Sequence, residues 1–212
     1  MYPSVPSPGP LLFLVYVNAV YKAIPNTDIR LFAHDTNVFV HGKNLDSVDA
    51  EANAVLLKLN NWFLANKLSL SIDKICFSGC KNVDTDTVHL NVNNHCLKCV
   101  RSCKYLGVII DNELSWKDHI ENVYNILLKF IRIFFKIRAI IPNSLLKMLY
   151  FSFNYPRLLY GIEVYGNAVS TTLRNLKTLN NKLLRIVQRK PFDSSTVCLY
   201  RSYDTLPIDK LY

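Results

Sequence analysis

The chain has 212 residues, half of them hydrophobic and few of them glycine, a composition that argues for packed structure and against disorder as its main state. Its net charge of +9 is unevenly placed. Residues 1–100 carry eight basic and eight acidic side chains, whereas residues 101–212 carry seventeen and eight. A basic half beside a neutral one points to a polyanionic partner, because Lys and Arg near phosphates release condensed counterions. The longest uncharged apolar stretch, Leu11–Tyr21, is too short to span a bilayer, and Ile126–Ile141 is interrupted by four cations. No membrane partner is expected. A secretory signal would want basic residues ahead of Leu11 and has none, so the expected location is intracellular, cytoplasmic or nuclear.

In chain order, the proline-rich Met1–Pro10 reads as an extended lead-in. Leu11–Tyr21, apolar on most sides, predicts a buried helix that Pro25 and Asn26 stop. Leu31–Phe39 reads as a strand–turn–strand hairpin with His34 and Asp35 at its tip. A helix capped by Asn44 or Asp46 follows, its apolar positions Val48, Ala52, Val55, Leu56, Leu59 and Phe63 recurring at steps of three and four. Asn66-Lys67 ends it. Leu68, Leu70 and Ile72 then alternate with polar residues, the period of a half-buried strand. Further strands are expected at Lys74–Ser78, Val88–Val92 and Lys104–Ile110, together forming a small antiparallel sheet. Ser115 and Asp118 have capping-box spacing for a long helix that Pro142 ends, and helices near Ser144–Phe153 and Thr171–Gln188 flank a linker at Tyr160–Asn167.

Several of these segments, in this order, resemble the reverse transcriptases of jockey-type non-LTR retrotransposons. Gly9-Pro10-Leu11-Leu12-Phe13 is similar to the end of one family motif, and Leu31–Phe39 to the metal-binding Phe-Ala-Asp-Asp hairpin, with His34 standing where the first aspartate belongs. Asn66-Lys67-Leu68-Ser69-Leu70 resembles the segment before a strand that ends in lysine, here Lys74. Lys104-Tyr105-Leu106-Gly107-Val108 resembles the primer-grip motif, and Leu114-Ser115-Trp116 with His119-Ile120 continues into the thumb. Tyr160–Asn167 extends the similarity towards the C-terminus.

The resemblance implies an α+β protein: a partial palm over residues 1–113, with its hairpin, helices and small antiparallel sheet, and a helical thumb with a C-terminal extension over 114–212. It implies RNA-directed DNA polymerase ancestry, RNA or an RNA–DNA hybrid as partner, and Mg²⁺ as cofactor. Two-metal chemistry needs carboxylates from two strands. Here Asp35 alone remains as a residual Mg²⁺ ligand, with His34 at the degenerate position, and neither the upstream aspartate nor the fingers are found in the sequence. The expectation is a truncated reverse transcriptase-like chain without turnover, a pseudoenzyme. By the same resemblance, Lys104, Tyr105, Leu106 and Gly107 would meet nucleic acid, as would Lys129, Arg132, Lys136 and Arg138 of the thumb.

Two alternatives stay open from the residues themselves. One is a non-catalytic, basic nucleic-acid-binding protein, to which Lys182, Arg185, Arg189 and Lys190 would also contribute. The other is a zinc-stabilised interaction module built on Cys76, Cys80, Cys96 and Cys99, with Cys103, His89 and His95 nearby. Zinc is the weaker reading, since Cys76 falls within a strand, where cysteine serves as a small buried apolar residue. The Phe and Trp residues of the C-terminal helices, at three- and four-residue spacing, are expected in the core rather than as stacking platforms for bases.

Overall fold

The computed structural model describes residues 9–33, 35–79, 88–93 and 95–212, which form two compact units, Met1–Arg101 and Ser102–Tyr212. It is mixed helix and small sheets, as an α+β chain should be.

The first unit begins with helix α1 (Gly9–Asn18) and the antiparallel hairpin β1 (Asp28–Phe32) and β2 (Asp35–Phe39). Helix α2 (Leu45–Ala65) starts where the Asn44 side chain accepts the Ser47 backbone N–H at 3.2 Å, and it ends where Asn66 folds back to Trp62 and Lys67 turns left-handed. Its inward face supplies Val55, Leu59 and Phe63 to a small core with Val20, Ile24 and Ile29, while Ala52 joins a second cluster with Leu90, Val92 and Leu97. Four short strands follow: β3 (Cys76–Phe77), β4 (Asn91–Val92), β5 (His95–Cys96) and β6 (Lys98–Cys99). Asn53 of α2 clasps β4 by accepting the Asn91 N–H and donating to the His89 carbonyl.

Several expectations change in this unit. The helix at Leu11–Tyr21 forms but is not buried within the described residues, for only Val17 of α1 is covered. Leu12 remains 63% and Val15 68% exposed, because a helix that is apolar all round leaves most of its surface uncovered when one side alone is packed. Gly9 and Pro10 belong to that helix rather than to an extended lead-in. Leu68, Leu70 and Ile72 do alternate inward with Ser69 and Ser71 outward, yet among the described residues no strand pairs with them, so the burial pattern exists there without a ladder. In place of one antiparallel sheet there are isolated two-stranded pairs, and β3 pairs with β6 in parallel. Cys76 is exposed, not a core residue.

The second unit opens with a hairpin, β7 (Ser102–Tyr105) and β8 (Val108–Asp111), where the sequence suggests one strand over Lys104–Ile110. Leu106 and Gly107 both take positive φ, the geometry of a two-residue hairpin turn whose twist matches its strands. Helix α3 (Lys117–Ile137) and helix α7 (Ser170–Val187) pack along each other, with α4 (Asn143–Leu149), α5 (Tyr155–Leu159), α6 (Ile162–Tyr165) and α8 (Thr196–Tyr203) around them. Leu127 and Phe134 of α3 meet Leu176, Leu183 and Leu184 of α7 in one continuous core. A π-helical turn at Tyr150–Asn154 joins α4 to α5. Tyr150 donates to Asn180 at 3.1 Å, and Asn180 donates to the Tyr200 hydroxyl at 3.3 Å, so these three buried polar groups hold each other, whereas the buried Asn154 side-chain amide has no partner among the described residues. Burial raises the phenol of Tyr150 far above its ordinary value and pushes Tyr200 up to about 12.

Two further readings are corrected here. The capping box at Ser115 is not made: Trp116 precedes α3 in a left-handed conformation with no side-chain cap, and Asp111 instead holds the turn ahead of the helix by accepting the Ser115 and Trp116 N–H groups. Tyr160–Asn167 is no linker, since it contains α6 and buries Tyr165 completely, with the Tyr165 hydroxyl donating to the Leu158 carbonyl. Gly166 sits so close to its neighbours that a Cβ there would lie 2.5 Å from the Ile162 carbonyl oxygen and 2.8 Å from Cβ of Tyr212.

Candidate nucleic-acid interface

Alternation along the β1–β2 hairpin turns Ile29, Leu31 and Val38 towards the core and leaves Asp28, Arg30 and Phe32 outside. Asp35 lies opposite Phe32, on that outer face. The other carboxylate of the hairpin, Asp28, pairs with Phe39 at the far end and binds Arg30 at 3.1 Å. Four residue steps along the strand separate it from Phe32, about 13 Å along the ladder, too far for the two carboxylates to share one ion. His34 lies outside the described residues. Among the described residues no group of three or more His, Cys, Asp or Glu side chains converges as a metal site. The donors among the described residues do not fit a two-metal centre. Of the cysteines considered for zinc, Cys80 also lies outside the described residues, and the β3–β6 register sets Cys76 against Lys98 and Cys99 against Phe77.

The Lys104–Gly107 segment forms the end of the β7–β8 hairpin. Its turn is held from α5's end, where the Tyr160 hydroxyl donates to the Leu106 carbonyl, and a Cβ on Gly107 would reach Cε1 of Tyr160 at 3.0 Å. The following strand is tied to α3, since Ile109 donates its N–H to Nδ1 of His119 at 3.3 Å. His119 is buried, and burial lowers its pKa and favours the neutral ring that this bond requires. Asp111 closes the junction. Its Oδ1 accepts from the backbone N–H groups of Glu113 and Ser115, and its Oδ2 accepts from Trp116 at 2.8 Å. Burial alone would raise the Asp111 carboxyl, but the Ser115, Trp116 and Glu113 bonds together outweigh it and the pKa is lowered.

A groove with a cavity volume of about 1090 Å³ runs between the C-terminal part of α3 and the end of α7. From α3 and the turn after it come Arg132, Lys136 and Arg138. From α7 and the turn beyond come Lys182, Arg185, Arg189 and Lys190, so two basic groups 44 or more positions apart in sequence face one cleft. No acidic residue lines it, and among the described residues none of these cations pairs with a carboxylate. Two are held by carbonyls instead: Arg185 donates to Ser194 at 3.1 Å and Arg189 to Ile141 at 2.7 Å. The buried Nε of Arg185 has no partner. Such a concentration of uncompensated cations raises the local potential and favours a polyanion. Lys129 is exposed on α3 but does not line the groove, and neither does the Lys104–Gly107 turn.

Some residues of this region are not evident from sequence. Phe135 and Phe192 line the same groove and are 57% and 74% exposed, although helical spacing assigns Phe135 to the core. The available signal for Phe192 was its place in a polar turn after Lys190-Pro191, where no helix face exists to bury it.

Comparison with known proteins decides the ancestry. The chain is 24% identical over 197 residues to the RNA-directed DNA polymerase from mobile element jockey of Drosophila melanogaster, covering 87% of this chain and 21% of the relative. The chain is related to the jockey reverse transcriptases. The corresponding protein of Drosophila funebris is 24% identical over 203 residues, with the same shares of each chain covered. The chain therefore spans about a fifth of the length of the curated relatives it matches, and the resemblance carried by the ordered motifs holds. No protein-family model and no solved structure matches. No helix of the described residues is long and apolar enough to cross a membrane.

Proposed function

We propose that this chain is a reverse transcriptase-derived, non-catalytic nucleic-acid-binding protein, palm-derived over residues 1–113 and thumb-derived over 114–212, whose α3–α7 groove grips the phosphate backbone of RNA or of an RNA–DNA hybrid. One observation carries the reading: seven cations from two distant stretches of sequence converge on one groove without a carboxylate among its lining residues. Phosphate contacts of this kind position a nucleic acid without reading its sequence. The relatives' name supplies the nucleic-acid class, RNA and DNA.

Polymerisation does not belong to these residues acting alone, because Asp35 has no second carboxylate on its hairpin within reach of a shared ion. In the α3–α7 groove, by contrast, nothing needs to be activated. If most of the seven cations meet phosphates, affinity for labelled single-stranded RNA falls on the order of 10²-fold between about 50 and 200 mM salt. Binding by the purified chain at low salt, lost in that manner, is the expected result. Absence of binding at low salt refutes the reading. Primer extension with an RNA template, Mg²⁺ and dNTPs should give no product, and His34→Asp should not restore it; incorporation by either protein above a heat-killed control contradicts the non-catalytic assignment.

A further inference from the structure

The groove is not lined by charge alone. Ile131, Ile186, Phe135 and Phe192 alternate with the cations along its walls. Ile131 and Ile186 are buried, but a duplex, which presents mainly sugars and phosphates and keeps its bases stacked inside, would leave the exposed Phe135 and Phe192 facing water. A single strand can place phosphates on the cations and turn its bases onto the aromatic faces, which is how single-stranded nucleic acid is held without sequence preference.

The two phenylalanines are arranged for this. Neither stacks on another aromatic ring among the described residues, and both are more than half exposed. Arg138 places its guanidinium carbon 4.2 Å from the centre of the Phe135 ring, so that the ring carries a cation on one face and the pair offers a planar, positively charged stacking surface beside the phosphate-binding cations. Phe192 stands beyond α7, in the turn next to Lys190. From this juxtaposition of exposed rings and unpaired cations in one concave groove we infer that the groove selects unpaired, single-stranded RNA or DNA over a duplex, stacking bases on Phe135 and Phe192 while the cations hold the backbone. The inference rests on the proposed nucleic-acid binding and narrows it to the single-stranded form.

Fluorescence anisotropy of the full chain with three labelled probes of equal length tests it: an oligouridylate, an oligomer with the same backbone but no bases, and an RNA–DNA hybrid. The oligouridylate should bind more tightly than the hybrid. Phe135→Ala with Phe192→Ala should weaken oligouridylate binding by about 5- to 150-fold per stacked base while leaving the abasic oligomer and the salt slope unchanged. Phe192→Trp keeps the platform and should show tryptophan quenching with oligouridylate but not with the abasic oligomer, a readout that an unfolded variant cannot give. Equal losses on both single strands, no loss on either, or a hybrid that binds as tightly as the oligouridylate overturns base stacking while leaving phosphate binding in place. Failure of all three probes to bind wild-type chain overturns phosphate binding itself.

Discussion

Met1–Arg101 and Ser102–Tyr212 are built from similar lengths of chain but solve the packing problem differently. The second unit gathers residues from α3, α4, α5, α6, α7 and α8 into one core. The first distributes its apolar residues between two smaller clusters and leaves α1 largely uncovered. Charge divides the same way: residues 1–101 hold nine basic and eight acidic side chains, whereas 102–212 hold sixteen and eight. A continuous core can position an excess of like charges on two packed helices, because burial along one face fixes where the opposite face points. The first unit has no equivalent frame, and the two carboxylates of its hairpin, Asp28 and Asp35, lie at opposite ends of the ladder.

The largest effects should fall in the continuous core. Leu127→Ala or Leu183→Ala, each fully buried, should cost about 2–5 kcal/mol in chemical denaturation. Leu12→Ala on α1 should stay within about 0.5 kcal/mol in the same measurement, because that side chain is exposed. Similar losses at both places would erase the contrast between the units.

Next in size is the junction between β8 and α3. Asp111→Ala removes three backbone acceptor bonds and should cost about 2–3 kcal/mol. Since the folded pKa of Asp111 lies below its ordinary 3.8, its contribution is complete above that value and is lost as pH falls through the folded one. Asp111→Asn should flatten the acid limb of a stability–pH curve for the second unit; an unchanged limb would assign the acid sensitivity elsewhere. His119 acts in a higher window. Its folded pKa lies below 6.5, so between these values the unfolded chain takes up a proton that the fold refuses, and stability declines as pH drops below 6.5. His119→Gln should remove that decline without moving the limb due to Asp111.

Periodicity revealed the long helices because α2, α3 and α7 each bury a single stripe, and the sequence spacing of Val55, Leu59 and Phe63 is the stripe itself. It misled at Leu68–Ile72, where the alternation needed only a half-buried surface and not a neighbouring strand. The β7–β8 turn was hidden because Leu106 adopts positive φ, a conformation its side chain disfavours and Tyr160 helps to hold. In the candidate interface, both basic groups were visible as charge, but only the packing of α3 along α7 brings Arg132 and Lys136 to the same groove as Lys182 and Arg189. Phe135 needed the structure, since its helical spacing points to the core, whereas the polar turn after Lys190-Pro191 already sets Phe192 off any helix face.

The smallest expected change in stability is on α1. Leu12→Lys with Val15→Lys should leave the denaturation midpoint almost unmoved while reducing self-association of the chain, checked by sedimentation velocity. A marked loss of stability would show that this helix packs more deeply than the first unit's two cores allow.

The claim that the α3–α7 groove binds phosphates is tested most directly by the salt dependence of RNA affinity in wild-type chain and in Lys136→Ala with Lys182→Ala. These side chains are exposed, so their loss should spare the fold. With phosphate binding, log affinity falls linearly with log salt and each lost cation reduces the slope by about 0.7 for a single strand. An unchanged slope in the double variant would contradict it.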